Sequence, residues 1–263
     1  MLKVGDIVTY FTALVPPEMK MDFDNVGLLA GSRETQVTRA LVALDITDAV
    51  IDEAIGCGAQ IILSHHPLYF ELKQVNDNTP AGHKVIKLLQ NHISAFCQHT
   101  NLDSVPGGVN DALASRLGVA TEGWLEGPQF LPDGREYGTG RYGMLSAAVP
   151  LQEYLVRVKT ALRGNGLRYW DAGRPAHRIA LCGGSGGEFV EAAVTRGCDT
   201  LETADVKYRQ FLAARELGLN LIDADHFCTE NVVVPVLADM LKKGFPEVEV
   251  SISKVHDQTV QFF

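Results

Sequence analysis

ALVALDITDAVIDEAIGCGAQIILSHH, running from Ala40 to His66, carries the reading of the fold. It opens with a short apolar run, turns at Asp45 and Thr47, and continues in a helical pattern capped by Thr47 or Asp48. A glycine-punctuated stop then leads into a second apolar run, QIILS. Strand, helix, strand in this order predicts a βαβ unit with parallel strands and a right-handed crossover. The same order returns from Arg178 to Thr203, RIALCGGSGGEFVEAAVTRGCDTLET, with a glycine loop in place of DITD. Further strands are expected at HISAFCQ (92–98), MLSAAV (144–149) and LNLIDA (219–224). They alternate with helical patterns in AGHKVIKLLQN, LQEYLVRVKTALRG and VKYRQFLAARELG. That alternation predicts an α/β protein. The stretch from Thr121 to Tyr142 is rich in Gly, Pro and polar residues and lacks a helical period. It is the expected junction between two similar α/β lobes, 1–122 and 123–263.

Composition narrows the class. With 263 residues, 46% hydrophobic and 21% charged, the chain has the profile of an ordinary globular protein long enough for real cores. Asp and Glu outnumber Lys and Arg by 32 to 23, so a net charge of -9 repels nucleic acid and anionic membranes. The cysteines, Cys57, Cys97, Cys182, Cys198 and Cys228, are scattered without a C-x-x-C pair, the pattern of reduced thiols. The N-terminal stretch has no cleavable signal pattern, and no run reaches the ~18 apolar residues of a membrane helix. A soluble, cytoplasmic protein is expected.

Chemistry gathers where strands end. QIILS runs into His65 and His66, SAFCQ into His99 and then Asp103, and LNLIDA into Asp225, His226 and Glu230. In open α/β sheets ligands collect beyond the carboxyl ends of strands, so three such ends can serve one crevice. Taken singly, each has a plain structural reading. His65 and His66 leave a strand in opposite directions, one to the core and one to solvent. Asp103 suits an Asx turn or a cap before the segment that follows. His226 and Glu230, four apart, suit a solvated helix start. Together they are three imidazoles and two carboxylates, a nitrogen and oxygen set sufficient for two divalent ions. No thiolate belongs to it, which points to Zn, Fe, Mn, Ni or Co rather than a Cys-type structural zinc. Cys228 faces away if His226 and Glu230 share a helical face. CGGSGGEF (182–189) reads either as an anion cradle at a helix start or as a tight turn. Ser64 and Ser185 lack the frame of a nucleophile elbow.

The motifs DFDNVGLLAG (22–31), SHHPLYF (64–70), HTNLDSVPGGVND (99–111), CGGSGGEF (182–189), ADVKY (204–208) and DADHFCTE (223–230) resemble, in order, those of the Nif-three-like family. Its members are also called GTP cyclohydrolase I type 2 homologues, and the resemblance spans nearly the whole chain. It implies two α/β lobes around a central metal-binding cleft, a dinuclear centre, and ring-like homohexamers built from dimers. Carried over by motif, the metal ligands are His65, His66, Asp103, His226 and Glu230, with His99 as a neighbour behind them. Asp24 and Asn25 are expected to shape the N-terminal loop. Ala204 and Arg209 depart from the Gly and His more usual in the family, and Asp225 stands where Gly commonly precedes the ligand His. These departures bear on substrate contacts and site charge. A large domain inserted between the lobes of some relatives has no room in this chain.

Two functions follow as expectations. One is a hydrolase in which paired ions activate water against a nucleotide, a related cyclic amidine or a phosphoester. The family label points to opening of the GTP purine ring, although no residue selects guanine. The other is a metal-binding regulatory or interaction scaffold without turnover.

Overall fold

The computed structural model describes residues 1–263. In chain order the elements are α1 (Val4–Leu14), β1 (Gly27–Ala30), β2 (Arg39–Ala43), α2 (Asp48–Cys57), β3 (Ile61–Ser64), α3 (Pro80–Gln90), β4 (Ser94–Cys97), α4 (Thr100–Ser104), α5 (Val109–Leu117), β5 (Ala120–Phe130) and β6 (Glu136–Val149). There follow α6 (Leu151–Ala161), β7 (Arg168–Trp170), β8 (Ala176–Ser185), α7 (Val190–Thr195), β9 (Thr200–Ala204), α8 (Tyr208–Leu217), β10 (Asn220–Asp223), α9 (His226–Glu230), α10 (Val234–Gly244) and β11 (Glu249–Ile252). They form two compact α/β units: Met1–Leu102 with Val233–Asp257, and Asp103–Val232 with Gln258–Phe263.

The first unit is built on a sheet in the order β1-β4-β3-β2-β11. β1 runs antiparallel to β4, and the other neighbours pair in parallel. β3 is buried along its whole length, as befits a central parallel strand covered on both faces. Thr47 caps α2, its Oγ1 accepting from the Val50 N–H at 3.2 Å, which decides between the two expected caps. Gly58, at φ 69°, ends the helix in the left-handed conformation, its N–H returning to Ala54 and Ile55. Val50, Ile51 and Ala54 bury that helix in a core with Leu41, Ile62, Leu88 and Ala95.

The second unit is built on a sheet in the order β5-β6-β8-β9-β10-β7. β8, β9 and β10 are parallel, and β5, β6 and β7 add antiparallel margins. Its core has two clusters, one around Tyr154, Ile179 and Ile222 and the other around Phe189, Leu201 and Leu221. Both expected βαβ units are present, β2-α2-β3 and β8-α7-β9.

Two expectations change. The junction between 122 and 123 falls inside β5, while the chain leaves the first unit after Leu102 and returns to it at Val233. The return has a physical reason: β11 pairs with β2, covering what would be an open sheet edge. The stretch from Thr121 to Tyr142 belongs mostly to the long pair β5 and β6. Its glycines serve packing, since a Cβ at Gly138 would stand 2.7 Å from the Trp124 ring. Arg141 lies over that ring at 3.1 Å.

Candidate metal centre

In the first unit the parallel strands β2, β3 and β4 end in Asp45, His65 with His66, and His99, all within two residues of the strand. The rings of His65 and His66 are 5.1 Å apart, and that of His99 lies 5.2 Å and 5.5 Å from them. One nitrogen from each of the three can be chosen so that all lie within 4.8 Å of one another. Both histidines of the pair thus serve one cluster, and the split between core and solvent does not occur.

Every ring in the cluster is held from behind. His65 Nδ1 lies 2.9 Å from the Gln98 carbonyl oxygen, His66 Nδ1 2.7 Å from Asp45, and His99 Nδ1 2.8 Å from Asp24. A carbonyl or carboxylate oxygen only accepts, so each Nδ1 carries a proton, and in the neutral ring this leaves the lone pair on Nε2. Burial works to raise the Asp24 carboxyl, but bonds from His99 and Thr100 bring it down to about 2. Burial opposes Asp45 in the same way, and His256 and His66 together hold it well below the ordinary carboxylate range. Asp24 therefore does more than shape a loop: it orients His99 and accepts from the Thr100 N–H at the start of α4. Asn25 does hold the loop, donating to the Tyr69 carbonyl at 2.9 Å.

In the second unit β9 ends in Asp205, β10 leads through Asp225 to His226, and α9 carries Glu230. His226 Nδ1 lies 2.7 Å from Asp205, and its Nε2 lies 2.9 Å from Glu230. Burial lowers the affinity of His226 for a proton, but Glu230 and Asp205 outweigh it and raise its pKa to about 9. Asp103, in α4, has a carboxylate oxygen within 4.8 Å of one of Glu230. Cys228 points into the core with Tyr154 and Ile222, as the shared face of His226 and Glu230 requires.

Two amides of the glycine loop are engaged inside the protein. The Gly183 N–H donates to Asn110 at 3.0 Å and the Gly184 N–H to Thr229 at 3.1 Å, so these amides are spent within the protein. Close approach explains the glycines: at Gly184 (φ 64°) a Cβ would stand 2.1 Å from Glu230 Oε1 and 3.3 Å from the His226 ring. Of the departing residues, Ala204 is fully buried at the end of β9 and Arg209 is exposed on α8. Asp225 adopts φ 75°, ψ 136°, a conformation that costs a residue with a side chain about 1–3 kcal/mol. It offsets that strain by capping α9, its carboxylate accepting from the Cys228 N–H at 3.2 Å.

Asp45, Asp205 and His256 are the residues sequence reasoning did not assign to the site. A signal for the first two was present. Residues 40–66 align with 200–226 without a gap, at an offset of 160 residues that carries Asp45 to Asp205, Gly58 to Gly218 and His66 to His226. In both copies the aspartate and histidine are 21 residues apart and meet at 2.7 Å. In both, the helix between them ends on a left-handed glycine. The repeat that bears the chemistry is β2-α2-β3 with β9-α8-β10, one strand later than the echo from Arg178 suggests.

The donor set suits a divalent metal: imidazole nitrogens with fixed tautomers and ionisable carboxylates, without a thiolate. Comparison with known proteins agrees with the motifs. A family model described as Duf34/NIF3 (NGG1p interacting factor 3) matches residues 2–259. A Clostridium perfringens protein named GTP cyclohydrolase 1 type 2 homolog is 36% identical, covering 99% of this chain and 100% of its own length. A protein of the same name from Clostridium acetobutylicum is 38% identical over 92% of this chain and 90% of its own. The solved structure of a Bacillus cereus protein related to NIF3 has a TM-score of 0.93, covering 100% of this chain and 99% of that one, and at 23% identity it shows likeness of fold. A match this long, carrying the histidines and carboxylates described above, makes the chain a member of the Duf34/NIF3 family.

Proposed function

We propose that the protein binds two divalent ions through His65, His66, Asp103, His226 and Glu230 and uses them as a hydrolase. The carrying observation is that four histidines, His65, His66, His99 and His226, each have Nδ1 engaged by an oxygen acceptor. Any buried ring N–H needs an acceptor, but His65, His66 and His99 are also gathered into one cluster, and a metal-ligating histidine depends on such a partner for orientation and basicity. Bound divalent ions would supply Lewis acidity and a more acidic water to the reaction. The chain's own part is positioning. Asp45, Asp24 and Asp205 keep the Nδ1 protons in place, and Gly184 gives Glu230 its room.

A nucleotide is the proposed substrate class, with a related cyclic amidine or phosphoester as the wider set. The names of the clostridial relatives support it. So does the exposed aromatic pair Phe23 and Phe70, whose rings are 6.2 Å apart, with Phe70 5.8 Å from the His99 ring. A flat apolar flank beside imidazoles suits stacking of a heteroaromatic ring. We further propose a cytoplasmic, ring-like homohexamer; no helix is long and apolar enough to cross a membrane.

The test is turnover by protein loaded in turn with Zn, Mn, Fe, Co or Ni against GTP, other nucleotides and phosphodiesters. The reading predicts hydrolysis that chelator abolishes and metal restores. Bound metal without any turnover would reject the hydrolase and leave the metal-binding scaffold.

A further inference from the structure

Past β11 the chain has no regular structure, yet it is tied down at almost every second residue. The Ser253 N–H donates to Val42 at 2.8 Å, and Ser253 Oγ and the Lys254 N–H donate to Glu53 on α2 at 2.5 Å and 2.9 Å. His256 Nε2 then meets Asp45 at 2.8 Å, on the carboxylate oxygen not used by His66. Two residues later Gln258 donates through Nε2 to Asp225, the residue immediately before His226. Beyond it the Val260 carbonyl accepts from Asn165 at 2.9 Å, and Phe262 lies so close to Gly166 that a Cβ there would stand 2.4 Å from its ring. His256 belongs to the first unit and Gln258 to the second, so the chain crosses from one to the other between these two contacts.

We propose that His256 and Gln258 are positioning residues for the metal centre, His256 acting on His66 through Asp45 and Gln258 acting on His226 through Asp225. The inference rests on the reading of His66 and His226 as metal ligands. Its physical basis is the geometry of each relay. A carboxylate bonded by one imidazole can swing about its Cβ–Cγ bond, whereas one held on both oxygens presents a fixed acceptor to His66 Nδ1. Asp225 sits in a backbone conformation that favours glycine, and its side chain both caps α9 and receives Gln258. A second bond to that carboxylate holds the strained residue in place, and with it the start of the helix bearing His226 and Glu230. At Asp225 the turn is thus fixed by side-chain bonds.

The test is a Co(II) titration of the full chain, read by visible absorption and by competition for affinity, with circular dichroism to verify folding. The variants are His256→Ala, His256→Gln, Asp45→Asn and the His256→Ala/Asp45→Asn pair. Gln258→Ala, Asp225→Gly and their pair test the other relay. Loss of an outer partner typically weakens metal binding at least about tenfold. The expected result is such a loss in His256→Ala and in Gln258→Ala with a changed Co(II) spectrum, and recovery in His256→Gln, whose amide can still donate to Asp45. Neither tail substitution should weaken binding further once Asp45→Asn or Asp225→Gly is present. Wild-type affinity and spectrum in His256→Ala and Gln258→Ala, beside a weakened Asp45→Asn, would overturn the inference and leave the metal centre standing. Equal losses with and without Asp45→Asn would also overturn it. A folded wild-type chain that takes up no Co(II) would reject the metal centre itself, and the positioning role with it. Two-bond nitrogen–proton correlations of His66 in metal-free protein give an independent reading. The Nδ1–H form should dominate in the wild type and give way to a mixture in His256→Ala.

Discussion

Gly184 shows at the scale of one residue how the site constrains the chain. Its left-handed backbone and the 2.1 Å approach of Glu230 to the position of a Cβ leave no room for alanine. Gly184→Ala should therefore displace the Glu230 carboxylate and weaken metal binding about tenfold or more, with circular dichroism close to wild type. Unchanged affinity would show that Glu230 is not a ligand in its present rotamer. The glycine run was visible in the sequence, but its purpose was not, because the atom that forbids a side chain comes from 46 residues later, at Glu230. The strand-terminal histidines were legible for the opposite reason: type, motif and place in the strand all lie within a few neighbouring residues. Asp45 and Asp205 hid in plain view, since an aspartate after a strand reads first as a turn residue. His256 left no local trace at all, because its partner depends on the path of a tail without a repeating pattern.

At the scale of elements, α2 and β9 carry separate tests. The Thr47 side chain satisfies an otherwise open N–H at the start of α2, so Thr47→Ala should cost about 1 kcal/mol in chemical denaturation. Buried in the second unit, Glu202 on β9 occupies the position that Val42 holds in the first copy of the repeat and accepts from Tyr154 at 3.0 Å. Burial raises its carboxyl from 4.5 to about 8, the bond from Tyr154 opposing. The folded chain then holds a proton that the unfolded chain releases above 4.5. The associated stability is complete below about 4.5 and is lost as pH climbs through about 8. Glu202→Gln should consequently flatten the fall in melting temperature across that window and stabilise the protein more at pH 8 than at pH 5. A pH profile parallel to wild type would show that Glu202 is ionised when folded. The hairpin of β5 and β6 marks where pattern reading stopped working. Its glycines admit Trp124 and the neighbouring strand, and without a sense of that packing they look like a linker.

At the scale of the whole molecule, one plan is used twice. Each unit is an α/β layer whose parallel strands end in an aspartate holding a histidine, and the offset of 160 residues between copies is that plan written in the sequence. The copies have diverged where the chemistry needs it: His65 is matched by Asp225, and Phe70 by Glu230. The first copy thereby ends in two adjacent imidazoles, and the second in one imidazole with a carboxylate four residues on. Ligand binding to the folded chain alone stabilises it by mass action, about 2.7 kcal/mol at a hundredfold excess over Kd. Thermal melts should therefore rise with added divalent ion in the wild type and much less in Glu230→Ala. The central claim is the dinuclear centre, and the most direct measurement is metal content per chain by elemental mass spectrometry. The protein should be purified without chelator or nickel affinity, beside Glu230→Ala. The account predicts about two divalent ions per wild-type chain and a clear fall in the variant. A folded wild-type chain that stays near zero after reloading would contradict it.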